Sequence, residues 1–96
     1  MNVFKYRDYK LAIRDQIKAN AEIYGYQTQM AKAAGCQRSF LSQALNSEVH
    51  LTPEHAVGIA RFWNLSAQGR EFFLDLVLLA RAGTKELQAL IQARLR

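Results

Sequence analysis

The sequence predicts an all-α fold of five to six helices in a single domain over residues 1–96. Apolar residues recur at spacings of three and four along most of the chain, as one face of a helix requires, and strand-like alternation is almost absent. The chain has only one proline and five glycines to interrupt its helices. Half of its residues (50%) are apolar, which suits one globular core of modest size. No repeat, low-complexity tract or linker divides the chain.

The first helix is predicted from about Tyr6 to Ile23, where apolar residues at helical spacing alternate with charged ones, and Gly25 ends it. Two shorter helical patterns follow, one on each side of Gly35. Their apolar positions are Met30, Ala31 and Ala34 before the glycine, and Phe40, Leu41, Ala44 and Leu45 after it.

The remaining helices have clear starts. Thr52 and Pro53 are predicted as the N-cap and the first residue of the fourth helix. Its inner face is Ala56, Ile59, Ala60 and Trp63. A fifth helix is predicted from about Ala67 to Ala82, with an inner stripe of Phe72, Leu76, Leu79 and Ala80. After Gly83 and Thr84, a sixth helix carries the apolar stripe Leu87, Leu90, Ile91 and Leu95.

The segment 27–47 has the features of a helix-turn-helix. Two helices that cross over a tight turn need a small residue where they approach and a glycine where φ is positive, and Ala31 and Gly35 suit these roles. A plain helical hairpin is the alternative interpretation. The pattern resembles the helix-turn-helix of lambda-repressor-like transcription regulators, with glutamine first, alanine fifth, glycine ninth and an aliphatic residue fifteenth. The eighteenth place is Ala44 with Leu45 beside it, which predicts a small rotation of the second helix.

A second resemblance covers nearly the whole chain. The opening residues and the fifth-helix residues are similar to the N-terminal region of an uncharacterised family of bacterial transcription regulators. The matching positions are Phe4, Tyr6, Asp8 and Tyr9, the "LTPE" of residues 51–54, and Arg70, Glu71, Phe72, Phe73, Leu76 and Val77. The resemblance implies a DNA-binding fold. Because members of that family usually extend further, the chain is either a short form or part of a longer protein.

The charge pattern predicts double-stranded DNA as the partner. The net charge is +5, and no Asp or Glu occurs between Glu22 and Glu48, where phosphates would repel carboxylates. The second motif helix, about residues 37–46, is therefore predicted to enter the major groove. The predicted base contacts are Arg38, Ser39 and Gln43, with Gln37 next, because these side chains match donors and acceptors on base edges. Lys32 is a predicted phosphate contact, with a solvated lysine as the alternative. The lambda-repressor resemblance implies phosphate contacts for Gln27, Ser42 and Asn46.

The fifth helix is apolar nearly all round, more than a small domain buries by itself. Either a second subunit or a missing C-terminal region covers the remainder, and a homodimer through the C-terminal helices, about residues 67–95, fits paired half-sites on DNA. The predicted dimer residues are Phe73, Val77, Leu78, Leu87, Leu90 and Ile91.

Other function classes have weaker signals. No catalytic set of residues and no phosphate loop is found, so the chain is predicted not to be an enzyme and to need no cofactor or small-molecule substrate. His50 and His55 lack partners at metal spacing, and Cys36 suits the core better than a redox sensor. One cysteine, no signal peptide and no membrane span predict a cytoplasmic protein. The alternatives are a protein-interaction module that docks a partner through the fifth helix, and a non-specific DNA-binding protein.

Overall fold

A computed structural model describes residues 1–95, and within them the chain forms six α-helices and no strand. This confirms the predicted all-α fold. A 3₁₀ turn at Val3–Lys5 precedes the first α-helix. None of the helices in this part of the chain has the length and apolarity that crossing a membrane requires. The helices are α1 (Tyr9–Ala19), α2 (Tyr26–Ala34), α3 (Arg38–Asn46), α4 (Pro53–Phe62), α5 (Ala67–Arg81) and α6 (Lys85–Arg94).

The predicted bounds of α1 were too wide at both ends. The Asp8 carboxylate caps the helix by accepting a hydrogen bond from the backbone N–H of Lys10 at 2.9 Å. Tyr6 therefore lies before the helix, although it is buried as expected. At the other end the Asn20 amide donates to the Gln16 carbonyl at 2.7 Å and closes the last turn. The apolar spacing continued across both ends, and local side-chain bonds stopped the helix.

The helix α4 lies at the centre of the domain and packs against both α2 and α5. Its start confirms the prediction, because the Thr52 side chain accepts from the N–H of His55 at 3.2 Å and the His55 ring accepts from the N–H of Thr52 at 3.1 Å. Gly58 allows α4 to approach α2 closely. A Cβ on this glycine would lie 2.8 Å from the Cα of Ala34. The α2–α4 contact thus fixes how the helix-turn-helix sits on the domain.

The predicted faces of α5 and α6 need correction. Phe73 and Val77 are fully buried and Ile91 is 4% exposed, so these three predicted dimer residues lie in the core of their own chain. Both the N-terminal 3₁₀ turn and α6 pack against α5 and cover faces that seemed surplus in the sequence. The stripe that α5 buries is Gly69, Phe73, Leu76 and Val77, whereas Ala80 is exposed. Of the predicted dimer residues, Leu78, Leu87 and Leu90 keep accessible surface.

Candidate nucleic-acid interface

The turn between α2 and α3 has the geometry that its glycine predicted. Gly35 has φ of 87°, in the left-handed region that glycine adopts without strain. Its N–H donates to the carbonyl of Ala31 at 3.0 Å, and the N–H of Cys36 donates to the same carbonyl at 3.0 Å. Ala31 is 1% exposed, as the close approach of the two helices requires. The α2 and α3 helices are therefore joined by three residues, 35–37, in a rigid turn.

The helix α3 divides cleanly into a buried and an exposed side. Leu41, Ala44 and Leu45 are buried, so both the small residue at the eighteenth motif place and its neighbour face the core. All four predicted base contacts lie on the outer side of α3 or at its N-terminal end. The exposed residues there are Gln37, Arg38, Ser39, Gln43 and Asn46, while Ser42 is half-buried.

A groove beside α3 contains two cations that sequence analysis missed. Arg14 and Lys18 of α1 line it together with Gln27, Ser42 and Asn46, which are three of the four predicted phosphate contacts. The volume of this groove is about 250 Å³. The Arg14 guanidinium donates to Oδ1 of Asn46 at 3.4 Å, and Nδ2 of Asn46 donates to the Ser42 carbonyl at 2.9 Å. The spacing of Arg14 and Lys18 places them on one face of a helix, but only the packing of α1 places that face beside α3.

A second groove, of about 860 Å³, continues this surface toward the N-terminal end of α3. It shares Lys18 and Gln27 with the first groove and adds Thr28, Gln29 and Arg38. Lys32, the fourth predicted phosphate contact, is exposed one helical turn beyond Thr28 on α2. No carboxylate is among the described residues that line either groove. We call this surface the α1–α3 face, formed by the exposed side of α3 and the two grooves.

The two helices of the motif begin differently from the others. Side chains of Asp8, Thr52, Ser66 and Thr84 accept hydrogen bonds at the starts of α1, α4, α5 and α6. In contrast, α2 and α3 start at Gly25 and Gln37 without a side-chain hydrogen bond. In α2 the N–H of Tyr26 donates to the carbonyl of Ile23 at 3.2 Å, whereas the N–H groups that follow it, and the first ones of α3, have no side-chain acceptor. The positive end of each helix dipole favours an anion there. This supports the acid-free α1–α3 face as an anion-binding surface.

The two tyrosines around Gly25 have different environments. The Tyr26 hydroxyl accepts a hydrogen bond from Nε1 of Trp63 at 3.1 Å, and its ring packs on Phe62, so this tyrosine and Trp63 belong to the core region. Tyr24 is 98% exposed and lines the larger groove.

The C-terminal end of α3 is held by α1. Nζ of Lys10 donates to the carbonyl of Ser47 at 2.7 Å and to the carbonyl of Val49 at 2.9 Å. Ser47 is the C-cap of α3, which has no basic residue in its own last turn. The lysine therefore supplies, from another helix, the positive charge and the donors that a helix C-terminus lacks.

The remaining candidate residues have structural roles. Cys36 is half-buried, and burial raises the pKa of its thiol, which keeps it protonated as a small core residue. His55 caps α4, and His50 is hydrogen-bonded to Tyr9. Within residues 1–95 no group of three or more His, Cys, Asp or Glu side chains is placed to hold a metal ion.

The His50 contact predicts that stability falls in mild acid. The Tyr9 oxygen accepts from the N–H of Leu51 at 3.1 Å and lies 3.0 Å from Nδ1 of His50, which leaves the hydroxyl proton for that nitrogen. Burial lowers the pKa of His50 below its ordinary 6.5, with contributions from Lys10 and Arg81 that outweigh those of Asp8 and Glu48. The unfolded chain therefore binds this proton more readily than the folded chain, so protonation of His50 favours unfolding.

We therefore expect the urea midpoint to be constant at neutral pH, just above the ordinary histidine pKa, and to fall as the pH drops below that pKa. His50→Gln replaces the titrating ring with a neutral amide, so this variant should lose that part of the pH dependence. An unchanged dependence in His50→Gln would show that other groups cause it.

The comparisons with known proteins gave no match: no protein-family model, curated protein or solved structure matches this chain. The lambda-repressor-like motif and the likeness to bacterial regulators remain predictions from the residues quoted above.

Proposed function

We propose that this chain binds double-stranded DNA sequence-specifically as a transcription regulator, with α3 in the major groove. The observation that carries the proposal is the α1–α3 face, where amide, hydroxyl and guanidinium groups of α3 lie beside two adjoining grooves that are lined by Arg14, Lys18 and Arg38 and free of carboxylates. Cations beside α3 suit the phosphates at the edge of a DNA groove, and the exposed α3 side chains suit the base edges within it.

Arg38, Ser39 and Gln43 are the side chains we assign to bases. An arginine reads guanine through O6 and N7, and a glutamine reads adenine through N6 and N7. We assign Gln27, Lys32, Ser42 and Asn46 to phosphates, and the grooves add Arg14 and Lys18 to that set. Gln37, at the start of α3, is the fourth base contact.

Replacing Arg38 by Ala should weaken binding to the preferred sequence by about 1–3 kcal/mol and relax specificity at one base pair. The preferred sequence is first selected from a random DNA pool, and affinities are then measured on it and on single-base variants. Arg70→Ala is the matched control, because Arg70 is an exposed arginine of α5 outside both grooves. This control should bind like the wild-type chain.

Two outcomes contradict this assignment in different ways. Equal loss of affinity for every sequence would make Arg38 a phosphate contact only. No detectable binding at low salt, where any phosphate-binding protein binds best, would contradict the proposed function itself. Competition with random DNA separates specific regulation from non-specific binding, the second candidate.

The protein-interaction alternative has lost much of its support, because α5 buries Phe73, Leu76 and Val77 within the chain.

A further inference from the structure

The outer side of α6 carries an unusual amount of apolar surface. Leu90 is 64% exposed and Leu87 is 45% exposed, whereas Ile91 and Leu95 of the same region are buried. A groove of about 350 Å³ runs along these leucines and is lined also by Leu78 of α5. Ala93 is exposed three residues beyond Leu90, so Leu87, Leu90 and Ala93 form a short seam at helical spacing. This seam has no partner within the described chain.

The charges beside the seam indicate what covers it. Glu86 and Arg94 are exposed and lie four residues before and after Leu90, which is about 6 Å along the helix axis in each direction. If a second α6 lies antiparallel with Leu90 on the two-fold axis, residues whose numbers are equally far from 90 face each other. Glu86 then faces Arg94 of the second copy, twice, and Leu87 faces the small Ala93.

A parallel arrangement gives the opposite result, since it places Glu86 against Glu86 and Arg94 against Arg94. Arg94 is also already oriented, because its guanidinium forms an ion pair with Asp75 of α5 while its side chain stays 59% exposed. A guanidinium has donors to spare for a second carboxylate. Apolar surface, size and charge thus all match a copy of the same helix in one register.

We propose that two copies of this chain pair through antiparallel α6 helices, with Leu90 on the two-fold axis and Glu86–Arg94 pairs at both sides. Two ten-residue helices about 15 Å long bury only a small interface. Such an interface belongs to the weak end of specific association. The dimer should therefore form at tens of micromolar and become more stable on DNA that offers two half-sites.

Cysteine cross-linking tests the axis directly. In a Cys36→Ala background, Leu90→Cys should give a disulfide-linked dimer under mild oxidation, because residue 90 faces itself across the axis. Gln92→Cys is the matched control, because Gln92 is also exposed but lies about 200° around the helix from Leu90. Equal cross-linking of the two variants, or none at position 90, would overturn the proposal.

Charge exchange tests the register. Glu86→Arg alone and Arg94→Glu alone each place like charges at both pairs of a homodimer, so each variant should associate at least tenfold more weakly than the wild-type chain. A mixture of the two variants restores opposite charges at both pairs of the mixed dimer, so association should return. Circular dichroism confirms that each variant is folded, and failure of the mixture to associate counts against this register.

The proposed pairing of α6 helices and the proposed DNA binding are tested by independent measurements. Light scattering measures association with and without DNA, while the selection experiment measures specificity. A wild-type chain that is monomeric in both conditions but still selects a DNA sequence would overturn only the pairing. A dimer that binds no DNA would overturn only the proposed function.

Discussion

Replacing Phe73 by Ala should destabilise the domain by about 3–5 kcal/mol, the range for removing a fully buried aromatic side chain. Phe73 has no exposed surface, and its ring packs edge-on against Trp63 with a centroid distance of 5.0 Å. The loss should be the same at every protein concentration, because the ring packs within one chain. Urea unfolding followed by the fluorescence of the single tryptophan measures it.

Phe4→Ala is the matched control for this prediction, since Phe4 is 48% exposed and its ring packs against Phe72 at the surface. It removes the same atoms at a site with less burial and should cost less than half as much. If Phe73→Ala lowered the free energy of unfolding only at high protein concentration, Phe73 would belong to a subunit interface.

Gly58→Ala should cost about 3 kcal/mol, the upper end for overpacking a core, although it adds only one methyl group. The new Cβ would lie 2.8 Å from the Cα of Ala34 and 2.9 Å from the carbonyl carbon of Ala33, both in the backbone of α2. A side chain can relieve such a clash by changing its rotamer, whereas backbone atoms cannot. The methyl group must push α2 away from α4, so DNA affinity should fall together with the free energy of unfolding.

Gly83→Ala is the control, because a Cβ at Gly83 meets no atom within 4 Å. This variant should be neutral or slightly more stable than the wild-type chain, through a less flexible unfolded state. Thermal and urea unfolding measure both variants. Equal stability of Gly58→Ala and the wild-type chain would show that α2 and α4 are not in close contact.

Local signals in the sequence predicted much of the fold. Thr52 and Pro53 marked the start of α4, and Gly35 marked the turn between α2 and α3, because a cap or a positive φ depends on residues close in sequence. The predicted length of α1 was too great. Apolar spacing does not indicate where a side chain such as Asp8 accepts a hydrogen bond from a backbone N–H and caps the helix. Helix positions were thus better predicted than helix ends.

The faces of α5 were harder to predict. When nearly every position of a helix is apolar, periodicity cannot distinguish the inner side from a free one, so Phe73 and Val77 were assigned to a dimer. The core position of each residue depends on the packing of α6 and of the N-terminal turn against α5, and the turn comes from the other end of the chain. Arg14 and Lys18 were missed for the same reason. Their place beside Asn46 follows from the packing of α1 against the motif.

Because of the Lys10 contacts, the stability of the C-terminal end of α3 depends on α1 as well as on α3. A nine-residue helix such as α3 is too short to persist alone in water, so its shape depends on its neighbours. Since the Lys10 ammonium donates to the carbonyls of Ser47 and Val49, opening of the last turn of α3 must also break these two contacts with α1. We therefore expect loss of the Lys10 ammonium to increase local opening at the C-terminal end of α3. The helix that we propose to enter the major groove is then stabilised by a residue that need not contact DNA.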